Sequence, residues 1–214
     1  MQIAVIGATG LIGRLLLPKL AAAGHEVHAL QRRDGERATC ATVHIDPAEE
    51  WPQLVAQIVP EAAISTLGTT MRQAGSQAAF AKVDRDMVLA FAAAARAAGA
   101  RHFGTVSSTG ADAGSRTFYL RLKGEVEEEL RALGFPRLDI FRPGLLRGPR
   151  GGDRRLGERI GIVLSPLVNL ALRGPLDRYA AIDAADVAAA ITASLAADAP
   201  GVFVHHNREI RGNR

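Results

Sequence analysis

Hydrophobic positions along the chain fall into short unbroken runs that alternate with longer stretches of helical spacing. Ile3–Ile6 is an apolar run ending in glycine, as buried parallel strands do. Leu11–Ala23 carries helical spacing and stops at Gly24, a residue suited to closing a helix. Val27–Leu30 and Thr42–Ile45 read as the second and third strands, Trp51–Val59 as a short helix, and Ala62–Thr66 as a fourth strand. Ala78–Ala98 predicts a long alanine-rich helix closed by Gly99, and His102–Val106 a fifth strand. Tyr119–Leu133 predicts a helix ending at Gly134, and Leu138–Phe141 a sixth strand. Strand and helix alternating at such spacings predict an α/β protein, a doubly wound parallel sheet covered by helices on both faces.

The alternation breaks after Arg142. Arg147–Asp153 is rich in Gly and Arg and reads as a loop, and Leu156–Leu172 has helical content interrupted by Pro166. Ala184–Ala197 reads as a further helix and Val202–Val204 as a short strand. We expect one domain over residues 1–214, with residues 147–177 as a small C-terminal substrate or lid segment; an ordinary connecting helix pair is the plainer reading of that stretch.

Composition narrows the class. The chain is 48% hydrophobic and 22% charged, ordinary for a soluble globular protein. Cys40 is the sole cysteine, so no internal disulfide forms and a reducing compartment is expected. No apolar run is long enough to span a bilayer, and MQIAVIGATG lacks a basic start and a cleavage site. Together these predict a cytoplasmic protein without a membrane partner. The net charge is +4, with arginines bunched at 147, 150, 154, 155 and 159. Asp153 and Glu158 interrupt that run and no aromatics are interleaved, so a solvated face or an anionic ligand is expected there rather than nucleic acid. The six histidines show no zinc-like spacing, and no metal site is expected. Glu125, Glu127, Glu128 and Glu129 read as a solvated helix face, and Asp84 and Asp86 as carboxylates without a special role.

The sharpest signal is GATGLIG, directly between the first strand and the first helix. Gly7 permits a tight turn, Gly10 lets backbone approach a pyrophosphate, and Gly13 lets helix and strand pack closely. With Thr9, Leu11 and Ile12 completing the turn and opening the helix, backbone amides and the helix dipole face the phosphates. The second strand ends in Gln31, Arg32 and Arg33. A carboxylate there would suit the ribose hydroxyls of NAD(H), whereas guanidinium groups pair with a 2′-phosphate. NADP(H) is therefore predicted over NAD(H), with Asp34 one step beyond as the contrary sign.

Tyr119-Leu-Arg-Leu-Lys123 sets a phenol and an ammonium four residues apart, on one face of a helix. A nearby cation stabilises a phenolate, and such a tyrosine exchanges a proton with a carbonyl or alcohol oxygen as hydride moves. Ser107 or Ser108, after the fifth strand, would hold the same oxygen. The chain resembles the atypical short-chain dehydrogenase/reductases of the Rossmann fold, and within them the Tat-interacting-protein-like branch. The resemblance rests on GATGLIG, LGTT at Leu67–Thr70, VDRDMVLAFAAAARAAGARHF at Val83–Phe103, VSSTGAD at Val106–Asp112, YLRLKGEVEEEL at Tyr119–Leu130, FRPGLLRG at Phe141–Gly148, and the ending from Asn207. It implies that Asp46 lies by the adenine, that Leu67 and Gly68 line the ribose side, and that Pro143 and Gly144 flank the nicotinamide. It also implies Tyr119 as proton donor and Lys123 on the nicotinamide ribose, with Ser108 preferred to Ser107.

The expected function is thus an NADP(H)-dependent oxidoreductase acting on a small carbonyl or alcohol, as a monomer or homodimer. A non-catalytic NADPH-binding regulatory or interaction protein is the first alternative, and a nucleotide-sugar epimerase or dehydratase the second. The small region after residue 143 argues against a bulky sugar nucleotide.

Overall fold

The computed structural model describes residues 1–33, 39–148 and 178–212. Residues 149–177 of the expected 147–177 lid segment, with Arg150, Arg154, Arg155 and Arg159, the predicted helix at 156–172 and Asp34 lie outside the described residues. In chain order the elements begin β1 (Gln2–Ile6), α1 (Leu11–Ala22), β2 (Glu26–Gln31), β3 (Thr42–Ile45), α2 (Trp51–Ile58) and β4 (Ala62–Ser65). There follow α3 (Met71–Ala74), α4 (Gln77–Ala81), a π-helical turn at Lys82–Asp86, α5 (Met87–Ala97), β5 (His102–Val106), α6 (Phe118–Ala132) and β6 (Arg137–Phe141). The chain closes with β7 (Leu146–Arg147), β8 (Ile182–Asp183), α7 (Ala184–Ser194), β9 (Gly201–His205) and α8 (Asn207–Gly212).

Seven strands form one parallel sheet in the order β3-β2-β1-β4-β5-β6-β9. Ile3 sits opposite Val27 of β2 and Ala62 of β4. Both faces of β1 are buried because its side chains alternate between two layers. Ile3 and Val5 pack with Leu16, Leu17 and Leu20 of α1 and Val187 and Ile191 of α7. Ala4 and Ile6 pack with Val55 of α2, Phe91 of α5 and Val126 and Leu130 of α6. This is the predicted doubly wound α/β architecture. Its strand order reverses between β1 and β4, which opens a crevice at the carboxyl ends of those strands.

The predicted single helix over 78–98 is instead α4, the π turn and α5. The Met87 N–H donates to the Lys82 carbonyl, five residues back, and this wider turn rotates Asp84 into the interior, where it is 1% exposed. Ser76 starts α4 by accepting from the Ala79 N–H at 3.1 Å, and Thr70 starts α3 by accepting from the Gln73 N–H at 3.2 Å. The β7–β8 pair carries two residues per strand, too few to show any periodicity in sequence. Among the described residues no helix is long and apolar enough to cross a membrane.

One charged cluster lies within the sheet. Asp139 on β6 is fully buried. Arg137 Nε donates to it at 2.6 Å and Arg137 Nη2 at 3.0 Å. His205 Nε2 of β9 lies 2.6 Å away and His102 Nε2 of β5 lies 2.7 Å away. Burial works to raise the Asp139 pKa, but the contacts from His102, His205 and Arg137 prevail and hold it well below the usual carboxylate range.

Candidate functional site

A cleft of about 820 Å³ opens at the switch point, within the size range of sites for cofactors and drug-sized ligands. Its floor is the turn after β1, with Gly7, Ala8 and Thr9 among its lining residues; Leu67, Gly68 and Thr69 come from the loop after β4. Gln31, Arg32 and Arg33 line its far end. The turn is built on absent side chains. Gly7 has φ +82°, and a Cβ there would lie 2.4 Å from the Leu67 nitrogen. At Gly13 a Cβ would lie 2.3 Å from the Gly7 carbonyl oxygen. At Gly10 the nearest heavy atom would be that same oxygen at 3.2 Å. The Gly10 N–H donates to the Gly7 carbonyl at 2.9 Å, and the Thr66 hydroxyl donates to it at 3.1 Å. Gly10 caps α1 without a side chain, and no acidic residue sits in the first turn. The amides opening α1 therefore keep their electrostatic pull on an anion.

Arg32 and Arg33 are exposed at the rim of the cleft. Leu11 is half-buried and Ile12 belongs to the core against α7. Asp46 follows β3, where its N–H donates to the Gln31 carbonyl at 3.0 Å; it is not among the residues lining the cleft. Pro143 is buried and its carbonyl accepts from the Thr109 N–H at 3.0 Å. The Gly144 N–H donates to Asn207 Oδ1 at 2.8 Å, and Asn207 Nδ2 donates to the Ala180 carbonyl at 2.7 Å. The fully buried Asn207 thus ties the loop after β6 to the strand-β8 approach.

Tyr119 and Lys123 share α6, yet their surroundings differ. Tyr119 is 37% exposed, edge-on to Phe80. Lys123 is 6% exposed and its Nζ lies 2.9 Å from Asp84 Oδ1. The other Asp84 oxygen accepts from the Thr69 N–H at 2.8 Å. The two serines are equally distinct. Ser107 is buried and its hydroxyl donates to Glu127 Oε1 at 2.5 Å. Ser108 is half-buried, and its hydroxyl donates to the Thr109 carbonyl at 3.2 Å. Lys123, Ser107, Asp84 and Glu127 surround a cavity of about 10 Å³ that shares Leu67 with the large cleft, room for a single water.

Two expectations from sequence need correction here. Glu127 is not solvated: it is 1% exposed, because it lies one turn past Lys123 on the inner face of α6. It accepts from Arg142 Nε at 2.9 Å, Arg142 Nη2 at 2.5 Å and Arg131 Nη2 at 3.2 Å. Asp84 has a specific partner in Lys123, brought inward by the π turn. Sequence reasoning also passed over Arg14, Trp51 and Lys82, which line the cleft. A cation directly after the third glycine was the signal for Arg14. Near Arg142, burial pushes the His206 imidazole pKa down, and the Arg142 charge adds to that.

Comparison with known proteins agrees with this fold. The profile of the NAD dependent epimerase/dehydratase family matches residues 3–121, more than half of the chain. The protein fmp52, mitochondrial, of Emericella nidulans is 38% identical over 163 residues, covering 72% of this chain and 70% of that protein. The protein FMP52, mitochondrial, of Eremothecium gossypii is 38% identical over 173 residues, covering 78% and 77%. Among solved structures, the Thermus thermophilus UDP-glucose 4-epimerase complex with NAD superposes with a TM-score of 0.73 at 19% identity, covering 99% of this chain and 81% of that one. The Bordetella bronchiseptica enzyme WbmG in complex with NAD gives 0.70 at 17% identity, covering 96% and 72%. The relatives' names overturn the expectation of a cytoplasmic protein, since those names describe mitochondrial proteins. The sheet order, the glycine turn and the matched profile lead to one assignment: the chain belongs to the NAD dependent epimerase/dehydratase family.

Proposed function

We propose that the protein is an NADP(H)-dependent oxidoreductase that moves a hydride between the nicotinamide and a small carbonyl or alcohol. The observation that carries this reading is the cleft itself: a glycine turn with no room for side chains at one end, and Arg32 and Arg33 at the other. The residues present fit the cofactor. Gly7, Thr9 and Gly10, with the amides of Leu11, Ile12 and Gly13, would hold the diphosphate. Arg32 and Arg33 would pair with the 2′-phosphate, and Asp46 would stand on the adenine side. Leu67 and Gly68 would line the ribose, Lys123 would hold the nicotinamide ribose, and Pro143 and Gly144 would flank the ring. When bound, the cofactor supplies or accepts the hydride.

The chain's own work is on the proton and the oxygen. The Tyr119 phenol donates its proton to the carbonyl oxygen in reduction and takes the alcohol proton in oxidation. Ser108 supports the same oxygen. We prefer it to Ser107, whose proton is committed to Glu127. The quoted stretches extend this reading to the atypical, Tat-interacting-protein-like branch of the short-chain dehydrogenase/reductases, with a small-molecule substrate and a monomer or homodimer as the working unit. The family's description favours one other reading, an epimerase or dehydratase in which hydride leaves and returns within a turnover.

The test follows NADPH oxidation on a panel of small carbonyls for the parent and for Tyr119→Phe. The expected outcome is turnover by the parent and a loss of about 10²–10⁴-fold in the variant, with NADPH affinity retained. Tight NADPH binding without turnover would overturn the enzyme in favour of a binding protein. Interconversion of UDP-sugars without net NADPH oxidation would favour the epimerase.

A further inference from the structure

We propose that Asp84 is a positioning residue, the counter-ion that keeps Lys123 charged and in place while gripping the loop that walls the cofactor cleft. The inference rests on the function proposed above, in which Lys123 holds the nicotinamide ribose.

Three observations carry it. The π turn at Lys82–Asp86 departs from the regular helix on either side of it, and such turns cluster where a side chain must be re-aimed. Here it aims Asp84 between α6 and the loop after β4. One carboxylate oxygen lies 2.9 Å from Lys123 Nζ on α6. The other accepts from the Thr69 N–H at 2.8 Å, next to Gly68, where a Cβ would stand in ordinary contact with Oδ1 at 3.6 Å. Gly68 and Thr69 both line the large cleft.

The surrounding charges single out this pair. Side chains of Asp84 and Lys123 are 2% and 7% exposed, so water screens neither. Glu127, the other buried carboxylate beside Lys123, already accepts from Arg142, Arg131 and Ser107. Among the described residues, Asp84 is the carboxylate in ion contact with Lys123. A buried ammonium without its counter-ion loses its proton more readily. Asp84 therefore does two separable things: its charge holds the Lys123 proton, and its hydrogen bond fixes the cleft loop. An amide at position 84 keeps an acceptor for Thr69 and removes the charge.

The experiment uses the full chain carrying 13C at lysine Cε. The chain has three lysines, Lys19, Lys82 and Lys123, and Lys123→Arg assigns the resonance of interest. Asp84→Asn is expected to lower the Lys123 titration midpoint by at least about one pH unit, while Lys19 and Lys82 stay in place. NADPH binding, followed by quenching of the single tryptophan, Trp51, which lines the cleft, is expected to stay within about three-fold in Asp84→Asn and to weaken about ten-fold in Asp84→Ala. An unmoved Lys123 midpoint in Asp84→Asn overturns the proposal. Should Asp84→Asn not fold, Lys123→Met tests the pair from the other side: the Asp84 carboxyl midpoint is expected to rise by at least about one unit, and an unmoved midpoint again overturns it. The midpoints are read without cofactor or substrate. Their failure leaves the NADP(H) reading standing, and a parent chain that binds no NADPH sinks that reading while leaving the ion pair intact.

Discussion

Within the glycine turn, three residues of one type do three different jobs, and substitution separates them. A Cβ at Gly13 would meet backbone at 2.3 Å, which no side-chain rotation relieves. Gly13→Ala must lift α1 from the turn, at a cost of about 1–3 kcal/mol or more. At Gly10 a Cβ would lie 3.2 Å from the Gly7 carbonyl oxygen, a tight contact but far looser than at Gly13, and in the proposed reading its methyl group stands where the diphosphate approaches. We expect Gly13→Ala to lower the melting temperature by several degrees. Gly10→Ala should lose clearly less melting temperature than Gly13→Ala yet lose more than roughly ten-fold in NADPH affinity, read by thermal scanning and Trp51 quenching. Equal melting losses in both variants would show that Gly10 serves the turn and not a ligand. These positions were legible in sequence because close approach admits one residue type at fixed offsets. Glu127 was not, since it hides in the run from Glu125 to Glu129. Its four-residue step from Tyr119 and Lys123 was the available signal: helical phase buries Glu127 and leaves Glu128 and Glu129 exposed.

Among the elements, those with long periodic patterns were readable and those set by a single local event were not. Strands β1, β2, β4, β5 and β6 follow from runs of buried residues and α1, α2 and α6 from helical spacing, whereas β3 holds no buried residue and the one-turn α3 was not read. The π turn inserts into a stretch whose composition is uniformly helical, so only its geometry reveals it. The two-residue strands β7 and β8 depend on chain segments far apart in sequence. The Asp139 cluster is a similar case, because β5, β6 and β9 each contribute a polar side chain to one point of the sheet. Its consequence is a pH dependence of definite sign. The folded Asp139 pKa is depressed, while in the unfolded chain it is near the ordinary value of about 3.9. The resulting stability is therefore complete above that value and is lost as pH falls through it toward the folded pKa. Asp139→Asn leaves the buried Arg137 guanidinium without its carboxylate and is expected to cost about 3–5 kcal/mol near pH 7. Urea unfolding from pH 7 down to about 3 should show a steeper acid loss in the parent than in the variant. Parallel curves would place the acid sensitivity elsewhere.

For the molecule as a whole, the question is which dinucleotide the cleft selects. In the proposed reading the crevice of the parallel sheet receives the ligand and the glycine turn its diphosphate, but neither distinguishes NADP(H) from NAD(H). That choice rests on charge at the opposite end, where Arg32 and Arg33 are exposed at the rim. Hydrogen bonds between guanidinium groups and a phosphate are worth about 1.5–3 kcal/mol, or roughly ten- to hundred-fold in affinity. A ligand that binds only the folded chain raises its stability by RT ln(1 + [L]/Kd), so that preference is visible as melting temperature without any substrate. At equal concentrations NADPH should raise the melting temperature more than NADH, by about 2–4 °C for each kcal/mol of difference. The double variant Arg32→Ala, Arg33→Ala should erase the gap by lowering the NADPH shift while leaving the NADH shift unchanged. Because the pairs are exposed, added salt should narrow the gap in the parent as well. A larger shift with NADH than with NADPH would mean that the arginines face water, and that a group beyond Arg33 takes the ribose hydroxyls instead.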